Sequence, residues 1–151
     1  MSKLKYGFKA NCEKQALEYR TKLGLLPHEP INPFLFAKWL SIPCIPHDEA
    51  CDFSNEFECL KQGCWSATLI RSEVAAIIVF NASLASVRIW SSIVHEIAHF
   101  LLGHRAEPLF SAYPLFQRNY TNAQEEEADC LSYTLLLPRT MIENYARQSA
   151  R

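Results

Sequence analysis

The chain has 151 residues, of which 49% are hydrophobic and 21% charged, a composition typical of a single soluble domain with a sizeable core. Fifteen basic and sixteen acidic residues leave a formal net charge of -1, too balanced to neutralise the phosphates on which nucleic-acid affinity mainly depends. Composition and charge therefore argue against direct nucleic-acid binding. We expect one domain that spans residues 1–151.

The sequence also predicts a cytoplasmic protein that makes no contact with a membrane. Its longest strongly apolar run, residues 74–80, is far shorter than the roughly 18 residues that a membrane-spanning helix needs. The first fifteen residues contain no apolar segment of the kind found in signal peptides.

Six cysteines are expected to be reduced thiols, because the cytoplasm disfavours structural disulfides. They are Cys12, Cys44, Cys51, Cys59, Cys64 and Cys130. Four of them lie between residues 44 and 64 but include no C-x-x-C pair. We therefore expect small buried side chains in this segment rather than a structural zinc site.

Two helices are predicted in the first forty residues. The first covers residues 11–23 and ends at Gly24, because glycine readily adopts the left-handed conformation that terminates helices. The second begins at Asn32, a typical N-cap residue, with Pro33 at the first helical position, and runs to about residue 40.

A small antiparallel sheet of about three strands is predicted next. Two prolines restrict residues 42–46 to an edge strand, since proline has no N–H to donate to a neighbouring strand. Residues 65–71 and 74–80 are rich in sheet-favouring side chains and lie only two residues apart, which indicates a β-hairpin. Residues 47–63 carry no clear signal for helix or strand.

The rest of the chain is predicted to be mainly helical. A central helix over residues 86–102 is followed by helices over residues 122–137 and from about residue 140. The last two each begin with a capping-box signature, Thr121 with Gln124 and Thr140 with Glu143. The expected fold class is α+β, with the sheet packed against a helical bundle that contains the central helix.

The central helix carries the motif HEIAH at residues 95–99, an H-E-x-x-H pattern. Two histidines four residues apart lie about 40° from each other around a helix, so the imidazoles of His95 and His99 can reach one ion. A catalytic zinc uses three protein ligands and keeps a position for water, on which Glu96 can act as a base. The alternative is a core helix whose histidines only form hydrogen bonds, but polar groups in so apolar a helix are costly unless satisfied.

A third metal ligand must come from elsewhere in the chain. His104 would lie on the opposite side of a continued helix from the first histidine, so we expect it at the helix C-terminus rather than among the ligands. The next long helix offers Glu125 and Asp129, four residues apart on one face. The first carboxylate can bind zinc and the second can accept a hydrogen bond from a ligand histidine. Glu126 or Glu127 remains an alternative to Glu125 as the ligand.

The order and spacing of these motifs resemble those of the ImmA/IrrE-type metallopeptidases, a gluzincin-like family of small cytoplasmic zinc proteases from bacteria, their phages and mobile elements. Two departures occur: Ala98 replaces a glycine that is common in the family, and the stretch SYT at residues 132–134 is more polar than usual. The matching segments are GFKA at 7–10, NPF at 32–34, IP at 42–43, SA at 66–67, IIVFN at 77–81, VHEIAH at 94–99, LGH at 102–104, E-x-x-AD at 125–129 and LLLP at 135–138.

The resemblance implies a zincin-like fold around Zn²⁺, with His95, His99 and Glu125 as ligands, Glu96 as catalytic base and Asp129 as the partner of His95. It further implies a metallo-endopeptidase whose substrate is a separate helix-turn-helix repressor or an Xre-type antitoxin. The alternative function is a zinc-stabilised regulatory or toxin–antitoxin protein that binds its partner without cutting it.

Two parts of the expected mechanism stay open at the level of sequence. An extended substrate is expected to add to an exposed strand, either residues 42–45 or one strand of the hairpin. A donor to the developing oxyanion is also expected. The candidates are Tyr113, Arg118, Tyr120, Tyr133 and His104.

Overall fold

The computed structural model describes residues 4–55, 57, 65–108 and 118–150. This part of the chain forms the α+β architecture that the sequence predicts, with six helices and two small sheets. None of its helices combines the length and apolar character required to span a bilayer. In chain order the elements are α1 (Phe8–Lys22), α2 (Pro33–Trp39), β1 (Cys44–Pro46), α3 (His47–Phe53), β2 (Ala67–Arg71), β3 (Ala76–Phe80), α4 (Ser86–Leu101), β4 (Glu107–Pro108), β5 (Arg118–Asn119), α5 (Asn122–Leu136) and α6 (Arg139–Ser149).

The main sheet has three strands in the order β1-β3-β2. Strands β2 and β3 form the predicted hairpin, with Leu69 opposite Ile78. Strand β1 is an edge strand as expected, but it runs parallel to β3, with Ile45 opposite Val79. The sheet is therefore mixed, and the prediction that it is antiparallel throughout is wrong for β1. Parallel neighbours need a long crossover instead of a tight turn, and the chain between β1 and β3 includes α3 and β2.

Three short elements were not predicted from the sequence. Helix α3 occupies part of the segment that gave no signal, and its first turn is stabilised by Asp48 and Glu49 through the helix dipole. It has only seven residues, too few for a helical period to be recognised. Strands β4 and β5 pair in an antiparallel ladder of two residues each.

The cysteines in the described part of the chain remain thiols, as expected. Cys12 is buried, and Cys44, Cys51 and Cys130 are partly buried. The other two members of the 44–64 group, Cys59 and Cys64, lie outside the described residues.

Two helix starts follow the predicted capping chemistry. The side-chain oxygen of Asn32 accepts hydrogen bonds from the N–H groups of Phe34, at 3.0 Å, and Leu35, at 3.2 Å. Thr121 and Gln124 form the reciprocal capping box at the start of α5. These contacts satisfy backbone donors that have no partner inside the helix.

The capping box predicted at Thr140 does not form. Helix α6 begins one residue earlier, at Arg139, after an N-cap Pro138 that has no side chain to accept a hydrogen bond. Glu143 instead accepts a hydrogen bond from Arg139 Nε at 2.8 Å, within the same helix. Because proline fixes the backbone angle φ at Pro138, this residue sets the start of α6, and the hydroxyl of Thr140 does not.

The packing of α4 against α5 forms the framework of the molecule, and α1 packs on α5 as well. Ile93 and Ile97 of α4 and Ala128 of α5 are all fully buried. Arg20 of α1 is also fully buried, and it donates a hydrogen bond to the carbonyl of Leu135 at 2.8 Å. This bond connects α1 to the last turn of α5. It also gives the guanidinium a hydrogen-bond partner, without which its burial would be costly.

Candidate metal centre

Three side chains from α4 and α5 converge on one point. Nε2 of His95 lies 3.1 Å from Nε2 of His99 and 3.1 Å from Oε2 of Glu125. Nε2 of His99 lies 3.6 Å from the same carboxylate oxygen. In the described ranges this is the one group of three or more His, Cys, Asp or Glu side chains whose donor atoms all lie within 4.8 Å of one another.

The separations between these donor atoms fit a tetrahedral metal ion. Ligands held about 2.0–2.1 Å from an ion at tetrahedral angles lie about 3.3 Å apart. The observed distances of 3.1, 3.1 and 3.6 Å bracket that value. Two imidazoles and one glutamate are also a donor set that catalytic zinc sites use.

His95 is oriented by a carboxylate on its outer side. Its Nδ1 lies 3.2 Å from Oδ1 of Asp129, and a carboxylate at this distance favours a hydrogen on Nδ1, which leaves the lone pair of Nε2 directed at the convergence point. Glu125 and Asp129 therefore reach the two nitrogens of one ring, and the spacing of four residues on α5 makes this possible.

His99 lies deeper and is almost inaccessible to solvent. Burial, together with smaller effects of the neighbouring His95 and His104 rings, lowers the pKa of His99 to about 3. The imidazole is therefore neutral at physiological pH, which is the form that binds a metal ion. Tyr120 stacks on the ring, with centroids 3.6 Å apart and planes inclined by 12°.

Glu96 is held by the sheet and is not part of the three-donor group. Its Oε2 accepts a hydrogen bond from the N–H of Leu69 in β2 at 2.9 Å. The pKa of Glu96 is raised to about 8, mainly by burial and to a smaller extent by the nearby Glu125, while the hydrogen bond from Leu69 acts in the opposite direction. A carboxyl whose pKa lies near neutrality is suited to accept a proton and to return it.

A cavity of about 320 Å³ opens beside this group. His95, Glu96 and Tyr133 line it, together with Arg88, whose Nε donates to Ser66 Oγ at 3.2 Å. The volume is at the lower end of the range for ligand pockets, so the cavity suits a short stretch of peptide rather than a large cofactor.

A peptidase family model, Peptidase M78 (IrrE N-terminal-like domain), matches residues 61–151 of the chain. The chain belongs to this family. Its matched region contains all of α4 and α5, and hence every side chain of the candidate metal centre described above. The match confirms the resemblance to ImmA/IrrE-type proteins, and it supports a metallopeptidase type of function. No curated protein and no solved structure matches the chain.

The structure separates the candidates for oxyanion stabilisation in this IrrE-like domain. Tyr133 lines the cavity beside His95 and Glu96. Tyr120 stacks on a histidine ring, and His104 lies on the buried side of His99 rather than in the cavity. Outside the described part lie Tyr113 and the side chain of Arg118.

Within the run of three consecutive glutamates of α5, Glu125 and Glu127 make different contacts. Glu125 reaches the histidine pair, whereas Oε2 of Glu127 lies 3.0 Å from Nε2 of His104. The contact between His104 and Glu127 was not predicted from the sequence. The signal that points to it is Gly103, whose left-handed conformation reverses the chain after α4 and returns His104 toward the helix.

Proposed function

We propose that the chain is a zinc-dependent metallo-endopeptidase, formed as one domain. The observation that carries this proposal is the convergence of His95, His99 and Glu125 beside an open cavity, which is lined by His95 and Glu96. A structural zinc site closes its fourth position with a protein ligand and has no need of a nearby base. An open cavity with a carboxyl of raised pKa is the arrangement expected of a hydrolase.

The zinc ion, when bound, supplies a Lewis acid that polarises the peptide carbonyl and lowers the pKa of water. Oε2 of Glu96 is fixed by the Leu69 N–H, which leaves Oε1 to take a proton from the attacking water. The same carboxyl then delivers the proton to the departing amine. Tyr133, in the cavity wall, is the proposed donor to the oxyanion.

Strand β2 is the proposed binding edge for an extended substrate. It lies at one edge of the main sheet, and Ala67 at its start lines the cavity. Because the N–H of Leu69 points away from β3 toward Glu96, the alternate residue Ala67 also directs its backbone groups away from β3. A peptide added along β2 would place its backbone next to Glu96 and His95. Strand β1 lies at the opposite edge of the sheet.

As substrate we propose a separate helix-turn-helix repressor or Xre-type antitoxin, which places the reaction in the cytoplasm. This class follows from the resemblance to ImmA/IrrE-type peptidases. Strand addition also requires an extended segment, so the bond that is cut should lie in a linker or a locally unfolded part of the partner.

The test is an incubation of the purified protein with the product of an adjacent repressor-like gene and, separately, with a peptide library that needs no knowledge of the partner. Mass spectrometry should show a defined cut in the presence of Zn²⁺ and none in the presence of a chelator. Stable capture of the repressor without a cut, together with an uncut library, would favour the alternative of a regulatory protein that only binds.

A further inference from the structure

A chain of hydrogen bonds leads from His99 away from the cavity. Nδ1 of His99 lies 2.9 Å from Nδ1 of His104, and Nε2 of His104 lies 3.0 Å from Oε2 of Glu127. His104 is 7% exposed and His99 is fully buried, so both imidazoles in this series of hydrogen bonds are buried. Buried polar groups in such a sequence of contacts hold each other in one orientation.

The turn after α4 places His104 in this position. Gly103 has φ +68°, and the N–H of His104 donates to the carbonyl of His99 at 3.0 Å. This is the hydrogen bond of a Schellman motif, which reverses the chain at a helix end. The reversal brings the side chain of His104 against the outer nitrogen of His99, although a continued helix would have carried it away.

Glu127 reaches the pair from α5. Ala128 faces α4 and is fully buried, and its two neighbours along the chain lie about 100° to either side of it. On one side Asp129 contacts His95, and on the other side Glu127 contacts His104. One turn of α5 thus supplies an acidic group to each side of the metal centre.

The hydrogen-bonding capacities of these groups determine the tautomers. A carboxylate only accepts, so Nε2 of His104 carries a hydrogen, and with one hydrogen on the ring Nδ1 of His104 keeps its lone pair. That lone pair accepts the Nδ1–H of His99 across the 2.9 Å contact. With its hydrogen on Nδ1, His99 directs the Nε2 lone pair toward Glu125 and His95, where a metal ion would bind.

We propose that His104 and Glu127 are positioning residues, which hold His99 in the Nδ1–H tautomer and so keep its Nε2 available to the metal ion. The inference rests on the proposed function, because it assumes that a metal binds there. Without the acceptor at position 104, His99 loses the partner that selects this tautomer. Its buried Nδ1–H would also lack a hydrogen bond.

The first test compares two substitutions of His104 by their zinc affinity, measured in competition with a chromophoric chelator. His104→Phe keeps a ring of similar size but has no acceptor, and the Kd for Zn²⁺ should rise about 10–100-fold. His104→Gln retains a carbonyl acceptor and should recover much of the affinity. The unfolding midpoint of each variant in chelator shows whether the metal-free fold is intact.

A second pair of variants tests Glu127. Glu127→Leu removes the acceptor for His104 and should weaken zinc binding by about 10-fold, while Glu127→Gln can still accept through its carbonyl and should cost less. The control variants are His28→Ala and Glu73→Gln. Both residues are exposed and belong to no part of the site. Both controls should bind zinc with the affinity of the wild type.

A direct measurement on the wild-type protein does not depend on any variant. The ¹⁵N shifts of the imidazoles in metal-free protein should show His99 with its hydrogen on Nδ1 and His104 with its hydrogen on Nε2. The opposite tautomer of His99, or an unchanged zinc affinity in His104→Phe, would overturn this inference alone. A wild-type protein that binds no zinc would overturn the proposed function instead.

Discussion

The two histidines of the motif are supported in different ways, although they lie only one helical turn apart. His95 is 24% exposed in its side chain and is oriented directly by the exposed carboxylate of Asp129. His99 is 1% exposed and contacts the ring of His104, and the carboxylate of Glu127 lies on the other side of that ring. We call the His95 side the open flank and the His99 side the closed flank.

The difference between the flanks follows from the cost of burying charge. An exposed carboxylate keeps part of its hydration, so it can contact a ligand histidine at little cost. A carboxylate placed against His99 would lose more of its water, and the imidazole of His104 between them avoids that direct contact. The open flank also includes Glu96 and the cavity, so it is the side on which the proposed substrate would enter, and the closed flank would hold the proposed ion from the buried side.

The largest effect is expected from removing the ligand that both flanks share. Glu125→Ala should reduce bound zinc from one equivalent to a small fraction and abolish cleavage, because two imidazoles alone hold the ion weakly. Metal analysis after dialysis measures this directly. Equal zinc content in Glu125→Ala and wild type would move the third ligand to Glu126 or Glu127.

Removing the base on the open flank should separate chemistry from metal binding. Glu96→Gln keeps the shape of the side chain and cannot take the proton, so cleavage should fall by about 10²–10⁴-fold or more while zinc content stays at the wild-type level. Rate and metal content are measured on the same sample. A normal rate would show that Glu96 is not the base.

The two flanks should respond to pH in opposite directions in metal-free protein. Glu96 has a folded-state pKa of about 8, above its ordinary 4.5. Between these two values the folded state binds more protons than the unfolded state, so stability falls as pH rises. His99 has a folded-state pKa of about 3, below its ordinary 6.5, so stability instead rises with pH between these values.

The measurement is the unfolding midpoint of Glu96→Gln and wild type in chelator from pH 5 to pH 8. The variant should gain stability relative to the wild type as pH rises, since it has no carboxyl to ionise. A constant difference between the two proteins across this range would show that Glu96 does not titrate there.

The smallest effect is expected at the turn that forms the closed flank. A Cβ at Gly103 would meet no atom within 4 Å, so Gly103→Ala is opposed only by the left-handed backbone, at about 1–2 kcal/mol. Gly24 has a similar φ and open space, but it lies between α1 and α2. Urea unfolding should show the same loss of stability in both alanine variants, and only Gly103→Ala should also bind zinc more weakly.

Much of the fold could be predicted because the signals are local. The Asn32 cap, the Thr121 box and the hairpin depend on residues a few positions apart, and all three occur in the structure. The parallel direction of β1 depends on its pairing with β3, which lies more than thirty residues further along the chain. Helix α3 has only seven residues, too few to show the hydrophobic periodicity by which helices are recognised. The predicted capping box at the start of α6 was wrong, because Pro138 and not Thr140 is the N-cap residue.

For the site, the sequence by itself determined which residues share a helical face. The spacing of four placed His95 with His99 on α4 and Glu125 with Asp129 on α5, because helical geometry repeats regardless of surroundings. Their roles as ligands stay a prediction that metal analysis can test.

Only the tertiary structure decided which groups face each other across the two helices. The close approach at Ala128 directs Glu125 to the histidine pair and Glu127 to the opposite flank, a choice that three consecutive glutamates cannot reveal. The reversal at Gly103 likewise converts His104 from a residue beyond the helix into the partner of His99. Both outcomes depend on contacts between segments far apart in the chain, and local propensity carries no information about such contacts.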